Sequence, residues 1–197
     1  MIVRKSADIR VPFPRRHLCW IGALILSMAL APAAHAQAIQ LVEQEIKAAL
    51  LYNFMKYTDW PADGAPEMNA PMIVCLFGGD PFNGRLQPMV GRTVNQHVIE
   101  LRELHTIDGL RMCSLVFVHA DARAQWPALR MALAEKAMLT VSDFEGFADS
   151  GGMIEFTRMK SRIAVKIDTN AVTAARLQVQ ERLQRLANPI HDGAAAR

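Results

Sequence analysis

No apolar run in this chain of 197 residues is long enough to cross a membrane. The stretch Leu18–Leu30 (LCWIGALILSMAL) would span about 20 Å as a helix, against about 30 Å of bilayer hydrocarbon. Internal repeats and low-complexity tracts are absent from residue 37 onward. Cysteine is scarce, with three in all, and Cys19 lies inside that apolar stretch. A lasting excess of positive charge is also missing. The formal charge of +3 comes from Arg4, Lys5, Arg10, Arg15 and Arg16 at the amino end, against Asp8 alone. These bases, the short apolar core and the small-residue site Ala34-His35-Ala36 form the three parts of a secretory signal, residues 1–36. Without it, residues 37–197 carry 17 bases and 18 acids, so composition gives nucleic-acid binding no support. The sequence predicts an exported, periplasmic protein cleaved after Ala36. Cys75 and Cys113 then remain as an even pair in an oxidising compartment, which favours a disulfide.

What is present reads as alternating helices and strands. Val42, Ile46, Leu50, Phe54 and Tyr57 recur at helical spacing, with Ala49 and Asn53 on the same stripe, and Trp60-Pro61 ends the helix. Continuous apolar runs at Met72–Phe77, Ser114–Val118 and Met138–Val141 predict short buried strands. Ile99 and Leu101 mark another strand. Asp80-Pro81 opens a short helix through Met89, and Trp126-Pro127 opens a further one. Residues 153–167 read as a hairpin with Glu155 and Thr157 alternating against Ile154 and Phe156. A last helix runs from Asp168–Asn170 to Ala187, with Val172, Ala175, Val179, Leu183 and Leu186 on one face. The prediction is one domain over 37–197, with a core at 40–188 and a tail at 189–197. Its class is α/β: a single-domain three-layer α/β/α sandwich with a mixed, mostly parallel sheet and a C-terminal β-hairpin plus helix.

Chemistry is sparse. The loop Gly78–Gly84 follows a strand, but it lacks the lysine and hydroxyl of a phosphate loop, and Asp80 would repel an anion there. His97, His105 and His119 have no metal-ligand spacing, so neither metal nor cofactor is expected. Ser142-Asp143 stands at the carboxyl end of a strand, where open α/β sheets place ligands; a helix cap fits these residues too. No G-x-S-x-G elbow surrounds the serine, and no catalytic constellation is visible. The aromatic group that includes Tyr52 and Trp60 reads as core packing, with a pocket or partner surface as the alternative. Asn53 is unusual on an apolar stripe, since a buried amide needs partners. Asn53, Trp60, Asp80, Ser142 and Asp143 are therefore the candidate ligand or partner residues.

The strings YNFMKYTDWP (52–61), CLFGGDPF (75–82), GRTV (91–94), CSLVFV (113–118), LTVSDFEGFADSGGMIEF (139–156) and NAVTAARLQVQERLQRLA (170–187) together resemble the YfiR family of exported bacterial proteins. That resemblance implies a non-catalytic periplasmic α/β protein that restrains a membrane-bound diguanylate cyclase through the cyclase's periplasmic sensor region. It also implies capture by an outer-membrane lipoprotein, a homodimer, and a bridge between Cys75 and Cys113. A second cysteine pair carried by some relatives is missing. The competing reading is a periplasmic small-ligand binding protein that reports to another receptor or transporter through the strand ends near Asp80 and Ser142-Asp143.

Overall fold

The computed structural model describes residues 40–134, 136–159 and 162–185, and the compact unit that carries the fold begins at Val42. The signal read over 1–36 and the tail over 189–197 lie outside the described residues, as do Leu186 and Ala187. Helix α1 occupies 40–56. Strands β1 (Thr58–Asp59), β2 (Met72–Phe77), β3 (Thr93–Val94), β4 (His97–Leu104) and β5 (Leu115–Val118) follow. Helix α2 (Trp126–Leu133) leads to β6 (Leu139–Ser142), β7 (Ile154–Met159) and β8 (Arg162–Ile167). The chain closes through α3 (Thr169–Ala174), β9 (Gln178–Val179) and α4 (Glu181–Gln184).

Seven strands form the main sheet in the order β3-β4-β2-β5-β6-β7-β8. The five from β4 to β7 run parallel, and antiparallel partners β3 and β8 flank them. Continuous apolar runs form the central strands because both faces of the sheet are covered. Even-numbered residues of β2 (Met72, Val74, Leu76) pack under α1, with Leu115, Phe117, Ile154 and Phe156. Odd-numbered ones (Ile73, Cys75, Phe77) face Trp126, Leu129 and Leu133 of α2. The result is the three-layer α/β arrangement that the sequence predicts. Several connections are tighter than expected, however. Residues 81–89 form turns and a 3-10 segment, Gln87–Met89, in place of an α-helix.

Two further predicted elements change. Helix α1 is where the spacing puts it, but it faces differently: Gln44, Ala48, Leu51, Phe54 and Met55 are buried, whereas Val42 and Ile46 are 54% and 45% exposed. The helix carries apolar residues on more than one side, so periodicity alone does not orient it. The predicted helix from Asp168 starts correctly, with the Asp168 carboxylate accepting from Asn170 N and Ala171 N at 2.9 and 3.1 Å. It breaks after Ala174. Arg176 adopts a left-handed φ of 59°, Leu177 turns into the core, and β9 pairs antiparallel with β1.

The α1-side core holds a run of aromatic rings. Phe156 lies 5.5 Å from Phe54 and 6.4 Å from Phe117, and Phe117 meets Phe82 edge-on at 4.8 Å. Such pairs contribute about 0.5–1.5 kcal/mol each beyond burial, and they fix α1 to the sheet. On the opposite face Cys75 and Cys113 form a disulfide with Cα atoms 5.9 Å apart. Cys113 precedes β5, and its extended backbone lets it reach Cys75 in the neighbouring strand.

Candidate functional site

The crossover direction of the parallel strands reverses between β2 and β5, because β4 lies on one side of β2 and β5 on the other. In open α/β sheets this reversal makes a crevice at the carboxyl ends of the strands. Here the loops at those ends bond within themselves and approach each other closely. Gly78 takes φ +90° and sits so close to the β5 loop that a Cβ would come within 2.7 Å of the Ala122 methyl. Asp80 turns its carboxylate onto its own loop, accepting from Phe82 N and Gly84 N at 2.8 Å each. His119 Nδ1 accepts the Asp121 N–H at 3.2 Å and starts the 3-10 turn Ala120–Gln125.

The fully buried Ser142 has both hydrogen-bonding functions engaged. Its hydroxyl donates to Val118 O at 2.7 Å and accepts from Phe144 N at 3.2 Å, which joins β5 to the loop after β6. Asp143 accepts from Lys47 Nζ at 3.0 Å, and the same ammonium pairs with Glu43 Oε1 at 3.0 Å. Arg158 closes the chain of charges on Glu43. Gln44 adds a hydrogen bond from Nε2 to Pro81 O at 2.9 Å. The amino half of α1 thus lies across the strand ends and holds both the β2 and β6 loops.

Asp80, Ser142 and Asp143 are therefore brought to one end of the sheet, each with its own local role. Asn53 and Trp60 are elsewhere. Asn53 lies half-buried in the second half of α1 and lines a separate cleft with Arg85 and Arg92. Trp60 follows β1, packs on the α1-side core, and buries an indole N–H that has no partner among the described residues. Alternation misplaces one further group. Glu155 reads as outward-facing, yet it is only 3% exposed and accepts from Gly146 N and Ala148 N at 3.2 and 2.9 Å. The glycines around it, which let the loop backbone bend over a carboxylate, are the signal that could have found it. Among the described residues, no cluster of His, Cys, Asp and Glu is placed to hold a metal ion. No helix there is long and apolar enough to cross a membrane.

Strand order and site together define an α/β protein in which α1 and the strand-end loops are tied to one another by side-chain hydrogen bonds and ion pairs. The chain belongs to the YfiR/HmsC-like family, which it matches over residues 44–188. This is a family of periplasmic, non-catalytic regulators associated with diguanylate cyclase signalling. None of the curated proteins compared with the chain matches it.

Proposed function

We propose that the protein represses a membrane-anchored diguanylate cyclase by binding the cyclase's periplasmic sensor region. The observation that carries this reading is the family match, which covers nearly all of the compact unit. The strand-end geometry supports it, since Asp80 and Ser142 bond neighbouring protein groups and Asp143 holds Lys47 through one oxygen. The protein acts as a homodimer, and an outer-membrane lipoprotein captures it to release the cyclase. Repression requires tighter binding to the inactive state of the sensor than to the active one. A tenfold preference supplies about 1.4 kcal/mol, and a full switch needs roughly 5.5 kcal/mol.

Deleting the gene raises cyclic di-GMP, and exported protein restores the lower level. The purified protein also binds the isolated sensor region. Unchanged cyclic di-GMP together with lost uptake of a small solute would refute the proposal and favour a transport-linked binding protein.

A further inference from the structure

The turn that follows β2 folds back on α1 and leaves a cleft of about 320 Å³ beside Tyr52, Asn53, Arg85, Pro88, Met89 and Arg92. Two arginines seven positions apart in sequence thus line one concavity. Arg85 has one carboxylate near it, that of Glu45, which lines the same cleft. Arg85 Nε is buried without a hydrogen-bond partner, and its nearest acid, Glu45, stands 3.7 Å away with a side chain that is 65% exposed. Arg92 has no ion-pair partner among the described residues, and its guanidinium lies 4.9 Å above the Tyr52 ring. The Asn53 side chain makes no hydrogen bond among them either.

We propose that this cleft binds a small organic anion, a carboxylate or phosphate ester on an apolar body. Guanidinium groups present parallel N–H donors that match carboxylate and phosphate oxygens. Pro88, Met89 and Ala49 provide apolar wall for the rest of the molecule. The volume lies at the small end of the range for ligand pockets, which favours a compact molecule over a protein segment. With acids and bases nearly balanced over residues 37–197, general attraction does not draw anions to the chain; the attraction is local to this pair of arginines. The site is separate from the strand-end groups, and it stands whether or not a cyclase is the partner.

Calorimetric titration of the exported protein with benzoate, phenyl phosphate and inorganic phosphate tests the proposal. Benzoate or phenyl phosphate binds saturably, and more tightly than inorganic phosphate. Arg85→Met and Arg92→Met each weaken binding about tenfold or more, as expected for loss of a charge-assisted pair. Glu45→Gln removes the competing carboxylate and strengthens binding about threefold, the scale of an exposed ion pair, a gain that misfolding does not imitate. No saturable binding by either organic probe would overturn the proposal. So would affinities unchanged in the double arginine variant, or capture only of an acidic peptide through the same arginines, which would make the cleft a protein contact.

Discussion

Glu155 and Lys166 stand directly opposite each other across the β7–β8 ladder, yet their side chains do not pair. Lys166 reaches Asp149 at 2.5 Å, and Glu155 turns inward to the amides of the 146–148 loop. An inward carboxylate thus organises the loop that follows Ser142-Asp143, and the cation across the ladder fastens the next turn of the same loop.

Glu155→Gln therefore destabilises the protein despite its near-identical shape, because its amide group opposes a backbone N–H that needs an acceptor. The expected loss is about 1–3 kcal/mol. Urea unfolding monitored by circular dichroism measures it, and an unchanged midpoint would contradict the assigned role.

Replacing Cys75 and Cys113 by alanine removes a bridge across 38 positions. Chain-entropy reasoning assigns that loop about 4 kcal/mol, a large share of a typical domain stability of about 5–15 kcal/mol. Thiol titration of protein purified without reductant yields no free thiol from this pair, and the double variant melts markedly lower.

Phe156→Ala opens a cavity between α1 and the sheet, because the ring contacts both Phe54 and Phe117. The expected penalty is about 3–5 kcal/mol. Amide exchange accelerates first in α1, which distinguishes loss of this contact from general loosening.

Asp63 is held below its ordinary value of 3.8, chiefly by the hydrogen bond that Arg176 donates. A lowered folded-state value means that this contact is fully present above the ordinary aspartate range. It is lost as pH falls through the lowered value. Carboxyl chemical shifts followed with pH show the depressed titration, and Arg176→Gln returns it to normal.

The sequence predicts cleavage after Ala36, with a mature chain expected to start at Gln37. Intact-mass measurement of periplasmic protein checks this directly. Retention of Cys19 in the mature protein would undo the compartment argument.

The sheet was legible because MIVCLF, SLVFV and MLTV can only be this apolar if both faces are covered. The layer order follows from the same fact. The facing of α1 was not legible: Val42 and Ile46 fit a helical stripe as well as Ala48, Leu51 and Met55 do, and only the tertiary partner chooses between them. The last helix was overextended because helical spacing from Val172 to Leu183 continues through the break. Leu177 falls outside that spacing, and its burial marks the break. Among the candidate residues, Asp80 and Ser142-Asp143 share the strand ends, as a parallel sheet dictates. Arg85 carries no motif and Arg92 falls in the GRTV string, and both line one cleft because a 3-10 turn folds their segment back on α1.

The clasp of β1 with β9 joins segments from opposite ends of the chain; Gln180 reaches Asp59 from 121 positions away. Along the chain α1 comes first, and Leu177 and Leu183, which share its core, come last. The core that holds Leu51 and Phe54 is thus incomplete until almost the whole chain is in place. A chain that lacks residues from 177 onward leaves that core short of Leu177 and Leu183, so the fold is finished only when its last segment is in place.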